Sequence, residues 1–348
     1  MFRTPGLETN LTEEERARRW RIFKDSMPHG GTKMKPTASH RSADRPLIFL
    51  SYLAIYLIWG STYLAIRIGV RDLPPFLFAG ARHLTAGVLM ALFALAKGEP
   101  FPRSPRDYGR LALGGLLLLC CANGLVSWAE QWVTSSLTSA VLAAIPLFTA
   151  LLEALWSRVR LGRDGLAGLF VGFAGVLILL GPEAPAGGRG FAGALVVLLA
   201  AFFWALGTVY VRRRTVEAPL FPRVAGQMIA AGLGLLAVGL PAGRGTSLHL
   251  TVEASAAFAY LVVFGSFLAY TAFGYLLERE PAAKVATHAY VNPVVGVILG
   301  GLLLGEKVTG WMLIALPMVL AGVVMVQRAG VEKAKDGVFS QEEKSAGA

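Results

Sequence analysis

Arg82 and Glu130 are ionisable residues that stand within or at the edge of long apolar segments. Arg82 follows the segment PPFLFAGA, and Glu130 closes the segment LGGLLLLCCANGLVSWA. A charge among apolar surroundings is costly, so Arg82 is a candidate functional residue, with structural pairing or snorkelling to the membrane interface as the alternative. The two groups are expected at similar depth, which leaves two interpretations open: an ion pair, or a proton-coupling carboxylate at Glu130.

Aromatic and small polar side chains are spread over several of the same apolar segments. Tryptophan and tyrosine combine an apolar face with a hydrogen-bonding tip, which suits an amphipathic small molecule. Interfacial anchoring is the alternative for residues near the segment ends, but this set lies deeper than an aromatic belt requires. The expected cavity-lining residues are Trp59, Ser61, Thr62, Asn123, Trp204, Tyr290 and Asn292.

Pro146 and Pro293 stand in the middle of two further apolar segments. A proline inside a helix lacks the N–H donor and its ring clashes with the preceding turn, so both positions are predicted helix breaks. Such breaks are favoured where a helix lines a cavity or must flex, and a static kink is the alternative.

Motifs for other chemistry are missing from the sequence. It contains no GxxxxGK[ST], no HExxH and no Cys/His cluster, so no catalytic residue, metal site or cofactor is expected. Cys120 and Cys121 are adjacent within an apolar run and are interpreted as small core residues. Because an absent motif alone does not exclude an enzyme, a membrane-embedded enzyme stays an alternative.

The elements that must position these residues are membrane helices. Of 348 residues, 55% are hydrophobic and only 16% are charged, and the mean hydropathy is +0.56. Such a chain is too apolar for a soluble domain and predicts an all-α integral membrane protein. Spans of about 20 residues fit ten times between polar tails at 1–46, predicted to be disordered, and 328–348. The predicted spans are 47–69, 76–96, 110–130, 134–156, 165–181, 190–211, 223–241, 254–277, 283–304 and 309–327.

The basic residues are distributed unequally between the two sides of the predicted membrane. Thirteen fall in alternate loops, against five in the intervening loops, and the basic N-terminal tail joins the richer side. The positive-inside rule therefore places both termini in the cytoplasm. The net charge of +11 is explained by the basic residues that mark the cytoplasmic side. No nucleic-acid partner is expected.

An internal repeat divides the predicted spans into two sets of five. Trp59 and Trp204 are 145 residues apart, as are Arg82 and Gln227, whereas Pro146 and Pro293 are 147 apart. Two five-helix repeats, 47–181 and 190–327, account for these offsets. Because five is odd, the second repeat is expected to cross the membrane in the opposite sense, a construction common in secondary transporters.

With these motifs in place, the chain resembles the EamA-type family of the drug/metabolite transporter superfamily, and within it the YedA-like exporters. The resemblance implies ten helices in two repeats, a central cavity, and export of small metabolites or drugs without ATP. Its carrying segments include YLIWGSTYLAIRIGV (56–70), CANGLVSWAEQ (121–131), FFWALGTVY (202–210) and ATHAYVNPVVGVILGGLLLGE (286–306). Positions that match the family pattern are Trp59, Gly60, Ser61, Thr62, Arg82, Asn123, Gly124, Glu130, Pro146, Trp204, Asn292, Pro293 and Glu306.

One departure from that pattern concerns Glu306. It follows Pro293 by thirteen residues, but Val159 stands thirteen after Pro146, so the first repeat lacks the acidic counterpart. This asymmetry suggests a structural cap for Glu306 rather than a symmetric role.

The expected function is secondary transport in the inner membrane. The chain is predicted to export small metabolites, amino acids or drug-like solutes by alternating access, with a membrane-embedded enzyme or a passive channel as alternatives. Its expected partners are a small-molecule substrate and the lipid bilayer. Ten spans suffice for a pathway through one chain, which leaves both a monomer and a homodimer open.

Overall fold

The computed structural model describes residues 38–157, 162–179, 188–243, 250–280, 285, 287–326 and 328. All regular structure in these residues is helical. The chain separates into a unit Met1–Leu47, of which the structure describes only residues 38–47, and a unit Ile48–Ala348, which contains the candidate site.

The helices follow one another with short connections. Those of the N-terminal half are α1 (Ala38–Asp72), α2 (Pro75–Ala96), α3 (Pro105–Gly115), π1 (Leu116–Asn123), α4 (Gly124–Ala129), α5 (Ser135–Leu142), α6 (Ile145–Ser157) and α7 (Arg163–Leu179). Those of the C-terminal half are α8 (Gly188–Arg213), α9 (Leu220–Ala242), α10 (Val252–Tyr260), π2 (Leu261–Leu268), α11 (Ala269–Arg279), α12 (His288–Leu304) and α13 (Gly310–Val326).

Seven helical stretches in the described part of the chain are long and apolar enough to cross a membrane. They are Arg45–Asp72, Pro75–Ala96, Pro105–Ala129, Ser135–Trp156, Arg189–Arg213, Leu220–Ala242 and Val252–Arg279. Val291–Leu304 and Gly310–Val326 are shorter apolar helices. The first helix begins at Ala38, nine residues earlier than predicted, and contains Pro46. The predicted polar tail therefore ends in helix, and the rest of both tails lies almost wholly outside the described residues.

Local chemistry sets several of the helix ends. Pro75 occupies the first turn of α2, where the missing N–H donor costs nothing. The hydroxyls of Ser104, Thr134 and Thr251 accept from backbone N–H groups and cap the N-termini of α3, α5 and α10. Gly305 ends α12 with φ +65°, a left-handed conformation that glycine adopts without a steric penalty.

Two π-helical segments interrupt the third helix of each half. π1 and π2 are eight residues each and start 145 residues apart, which is the separation of Trp59 and Trp204. π-helical turns are rare and often mark functional sites, because they widen the helix and re-aim its side chains. Their matched placement is a feature that both halves share.

α2 and α9 pack together through glycines at reciprocal positions. A Cβ added at Gly87 would lie 2.8 Å from the backbone nitrogen of Ile229, and one at Gly232 would lie 2.5 Å from that of Leu84. Ile229 follows Leu84 by 145 residues, as Gly232 follows Gly87, so the two contacts exchange equivalent positions. The residue numbers of the contacting partners decrease along α9 as they increase along α2, so the two helices run antiparallel.

α7 and α13 repeat this arrangement with the later offset. A Cβ at Gly175 would lie 2.8 Å from the backbone nitrogen of Val319, and Gly322 is in close contact with the backbone of Gly172. Both matched pairs, Gly175 with Gly322 and Gly172 with Val319, are 147 residues apart. Small residues at these crossings let the helix backbones approach closely.

The two prolines behave differently. The helix is interrupted at Ala143 and Ala144, between the end of α5 at Leu142 and the start of α6 at Ile145, so Pro146 lies in the first turn of a new helix. Pro293 lies inside α12, which continues through it. The prediction of a helix break at Pro293 is therefore wrong, because one missing N–H donor does not stop a helix whose neighbours hold it in place.

Candidate functional site

A cavity of about 50 Å³ lies where helices of both halves meet. Five residues singled out in the sequence line it: Trp59, Thr62, Arg82, Asn123 and Trp204. The remaining lining residues are Tyr63, Ile66, Ala122, Val126, Leu142, Ile145, Ala200 and His288. Leu142 and Ile145 flank the interruption between α5 and α6, so the broken helix forms part of the wall.

The aromatic part of the wall is built around Trp59. Its ring meets Trp204 edge to face with centroids 5.4 Å apart, and His288 in the same manner at 5.2 Å. Phe273 packs behind both tryptophans, with centroid distances of 5.1 and 5.9 Å. The indole Nε1–H of Trp59 donates to the carbonyl of Gly265 in π2 at 3.2 Å. This packing fixes the rings and leaves an apolar surface toward the cavity.

Arg82 connects the two π-helical segments. Its side chain is 97% buried, and its Nε–H donates to Ser266 Oγ in π2 at 2.9 Å. Its Nη1–H group reaches Asn123 Oδ1, the last residue of π1, at 3.4 Å. In the described part of the chain no carboxylate oxygen lies within ion-pair distance of this guanidinium. A buried cation that is held by neutral acceptors keeps capacity for an anionic partner.

Glu130 is fully buried just beyond the end of α4, and the expected ion pair with Arg82 does not form. Neither carboxylate oxygen has a hydrogen-bond partner among the described residues, and Thr138 lies beside it without hydrogen-bond geometry. Arg67, Glu306 and Arg82 act on its charge at longer range. The pairing fails because Arg82 is turned toward Ser266 and Asn123.

Two residues expected to line the cavity face elsewhere, and a third lies outside the described side chains. Ser61 Oγ donates to the carbonyl of Ile58 at 2.7 Å and is hydrogen-bonded to Tyr260 Oη at 2.6 Å. Asn292 stands behind the wall, where its amide nitrogen faces the backbone carbonyls of α1 at 3.1 and 3.2 Å and its oxygen accepts from His288 Nδ1 at 3.2 Å. Asn292 therefore orients the lining residue His288. The side chain of Tyr290 is not among those described.

Some of the lining residues that were not predicted could have been identified from the sequence. Trp59, Thr62, Tyr63 and Ile66 follow the i, i+3, i+4, i+7 spacing of one helix face, so Tyr63 and Ile66 were predictable from Trp59. The apolar residues Val126, Leu142 and Ile145 gave no such signal, because in a membrane chain an apolar side chain faces lipid, core or cavity alike.

Glu306 closes one end of the molecule by capping α5. Its carboxylate accepts from the backbone N–H groups of Ser135 and Ser136, both at 2.9 Å, and from their two hydroxyls. These are the free donors of a helix N-terminus, where a negative charge is stabilised. The capping role expected for Glu306 is confirmed, and it links the α12–α13 connection to the N-terminal half.

A wider depression opens near the same end. Its volume is about 790 Å³, and it is lined by residues of the α1–α2 connection, of α4 and of the end of α9. Thr251 Oγ1 donates to Asp72 Oδ2 at its rim at 2.6 Å, and Phe76 stacks on Trp128 with centroids 6.4 Å apart. Trp128 is two residues from Glu130, so this depression and the buried carboxylate share one region of the molecule.

The sequence profile of the EamA-like transporter family matches residues 46–181 and matches again at 191–328. The chain belongs to the EamA-like transporter family. The two matches coincide with the two halves that exchange equivalent contacts, and together they cover most of the chain.

Relatives of this EamA-like protein are transporters by name. The uncharacterized inner membrane transporter YedA of Escherichia coli K12 is 37% identical over 280 residues, which is 80% of this chain and 90% of YedA. A probable amino-acid metabolite efflux pump of Salmonella typhimurium is 30% identical, over 79% of this chain and 92% of that protein. A crystallised protein at 21% identity aligns with a TM-score of 0.58, over 80% of this chain and 95% of its own, and shares the fold.

These relationships decide the class of the protein. It is an EamA-like transporter rather than an enzyme, and it is a multi-pass protein of the inner membrane. Groups of histidine, cysteine, aspartate and glutamate that could hold a metal ion do not occur among the described residues. The chemistry of the site is therefore that of its cavity: one buried cation, an aromatic wall and a few neutral hydrogen-bonding groups.

Proposed function

We propose that this protein is a secondary exporter that carries small metabolites, amino acids or drug-like solutes by alternating access. The observation that carries the proposal is the cavity shared by both halves, in which Arg82 is bonded to π1 and π2 at once. A movement of one half against the other changes the surroundings of this group directly. A solute bound beside Arg82 would therefore interact with both halves.

The proposed architecture is ten membrane helices in two inverted five-helix repeats, 47–181 and 190–327. Three observations support it: the family profile matches twice, the π-helical segments keep the offset of 145, and the glycine contacts are reciprocal. The antiparallel course of α2 on α9 is what an axis in the membrane plane produces. The same two halves can then form inward-open and outward-open states around one site.

In this proposal both termini and the basic loops face the cytoplasm. Arg110 in α3 donates to the carbonyl of Thr215 at 3.4 Å, so the N-terminal part of α3 and the α8–α9 connection meet at one end. The ion pairs of Arg212 with Glu153 and of Arg223 with Glu278 contribute to the proposed cytoplasmic side. The cap formed by Glu306 and the depression beside Trp128 belong to the outer end.

Alternating access requires that contacts at each end open in turn. The proposed outer contact is the bonding of Glu306 to Ser135 and Ser136, and the proposed inner contact is the pair Arg212 and Glu153. The pair Arg212 and Glu153 is exposed and exchanges for water at small cost, whereas the contact of Glu306 with the buried Ser135 and Ser136 would have to be offset by new contacts in the open state. One chain encloses the whole cavity, so a monomer and a homodimer would carry solute by the same route.

Glu130 is the proposed proton-coupling residue. A buried carboxyl group without a hydrogen-bond partner favours its neutral form, so Glu130 would take up a proton from the outside in an outward-open state and release it to the cytoplasm when an inward-open state hydrates it. Arg67, Arg82 and Glu306 are the charged groups that act on it, and Thr138 is the polar side chain beside it. Export of solute would then be driven by inward movement of protons.

The test is transport by the purified protein in proteoliposomes without ATP. Radiolabelled solutes should move with a rate that saturates, and an inward-directed proton gradient should increase their export. A rate that rises linearly with solute concentration would indicate a channel instead. Saturable transport that ignores both proton and sodium gradients would remove the coupling and leave facilitated diffusion.

A further inference from the structure

We propose that Arg82 binds the carboxylate of the transported solute, and that the substrates are monocarboxylates that carry an apolar or aromatic group. This inference rests on the proposed transport function and names its substrate class. The binding position is the space between π1 and π2, with the solute's apolar part against Trp59 and Trp204.

The guanidinium has unused donors. It carries five N–H groups, and the described hydrogen bonds use its Nε toward Ser266 and its Nη1 toward Asn123. Both acceptors are neutral, and the bond to Asn123 is long, at 3.4 Å. Burial of a cation without an adjacent anion is costly, so an entering carboxylate would recover energy that the empty site lacks.

Gly265 lies against the remaining nitrogen of the guanidinium. A Cβ at this position would lie 3.0 Å from Nη2 of Arg82 and 3.0 Å from Cγ2 of Thr62. The absent side chain lets π2, whose carbonyl already holds Trp59, approach Nη2 closely. The planar fork of an arginine matches the two oxygens of a carboxylate, which a lysine ammonium does not.

The single positive charge of the cavity lining favours solutes that carry one negative charge. Arg82 is the one charged residue among the described residues that line the cavity. A dianion such as a phosphate monoester would bring a second charge with no cation to balance it, and a cationic solute would be repelled. A zwitterionic amino acid remains acceptable, because its ammonium group can lie over the faces of Trp59 or Trp204.

The rest of the lining favours an apolar substituent. Ile66, Val126, Leu142 and Ile145 join the tryptophans, and polar groups are restricted to the region of Thr62, Tyr63, Asn123 and His288.

The test compares each acid with its neutral amide. The probes are 3-phenylpropionate with 3-phenylpropionamide, and L-phenylalanine and L-tryptophan with their amides. Binding is measured by competition against a tritiated acid on the wild-type protein in nanodiscs, and transport in proteoliposomes. We expect the wild type to prefer the acids about 10- to 100-fold, the range of a charge-assisted hydrogen bond to a buried group.

The variants separate charge from fold. Arg82→Gln should abolish the preference for acids over amides, and Arg82→Lys should restore part of it because the charge returns without the fork. Gln is a conservative choice, since Gln227 occupies the matching position in α9. Arg106→Gln, which removes an exposed arginine at the start of α3, is the matched control and should keep the preference.

The outcomes are distinguishable. Equal binding or transport of acids and amides by the wild type, or an acid preference that survives Arg82→Gln in a folded protein, would overturn the inference and leave transport intact. Transport restricted to cationic or uncharged solutes would overturn it in the same way, and would favour an Arg82–Glu130 ion pair formed in another state. Absence of saturable flux for every class of solute would overturn the transport function itself.

Discussion

Trp59 and Trp204 stand 145 residues apart in the sequence and meet edge to face, with ring centroids 5.4 Å apart. Two residues that hold equivalent positions in a repeat touch each other only near the axis that relates the copies. The cavity adjoins this contact, and Arg82 bridges the two π-helical segments beside it. The proposed substrate position therefore lies near the axis that relates the two halves.

Shortening the aromatic wall should weaken substrate binding. Trp204→Ala removes the ring that packs against both Trp59 and Phe273, and we expect KM to rise about tenfold, since an aromatic pair contributes about 1 kcal/mol beyond its buried area. Initial rates in proteoliposomes measure this. Trp311→Ala, which changes an exposed tryptophan, is the control, and equal KM values for the two variants would contradict the placement of substrate.

Replacement of the buried carboxylate should uncouple transport from protons. We expect Glu130→Gln to keep solute exchange between the two sides but to lose the acceleration by a proton gradient, because a glutamine cannot change its charge. The measurement is counterflow compared with gradient-driven flux at several external pH values. Glu253→Gln, at an exposed glutamate in the first turn of α10, is the control. Gradient-driven flux that persists in Glu130→Gln would remove this residue from coupling.

Loss of the cap on α5 should destabilise the protein. Glu306→Gln removes the charge that receives four N–H and O–H donors of Ser135 and Ser136, and we expect a cost of about 1–3 kcal/mol in the free energy of unfolding. Unfolding in detergent measures it, with Glu217→Gln at an exposed position as control. A double-mutant cycle with Ser136→Ala should give strong coupling, and additive effects would mean that the cap is not formed.

The glycine crossing of α2 and α9 should not tolerate a side chain. Gly232→Ala places a Cβ 2.5 Å from the backbone nitrogen of Leu84, so one helix must shift, at an expected cost of about 1–3 kcal/mol. Gly109→Ala, where nothing lies within 4 Å, should be neutral or slightly stabilising. Thermal unfolding in detergent compares the two. Similar melting temperatures would contradict the close crossing.

Much of the fold was predictable because a helix that crosses a lipid bilayer needs a long apolar run. Apolar runs of about 20 residues predicted most helices within a few residues, and the offsets of 145 and 147 anticipated the contacts between equivalent glycines. The π-helical segments were not predictable. Apart from Asn123 and Ser266, LLLLCCAN and LVVFGSFL lack polar side chains, so neither carries a periodicity that separates π-helical from α-helical winding.

Single charges marked the site, but their partners depended on tertiary geometry. Depth alone suggested that Arg82 would pair with Glu130, whereas its acceptor Ser266 comes from a helix 184 residues away. The cap by Glu306 was suggested by a missing counterpart in the first half, yet its partners Ser135 and Ser136 were fixed only by packing. Asn292 was assigned to the cavity, but it lies one layer behind, where it holds His288.

The central claim, that the two halves face opposite ways across the membrane, is tested most directly by cysteine labelling at equivalent loop ends. In a background without Cys120 and Cys121, single cysteines replace two exposed residues 146 positions apart: Arg71 in the last turn of α1 and Glu217 in the connection that follows α8. A membrane-impermeant maleimide applied to intact cells should label position 71 and not 217, and everted vesicles should give the reverse. Labelling of both positions from the same side would contradict the account.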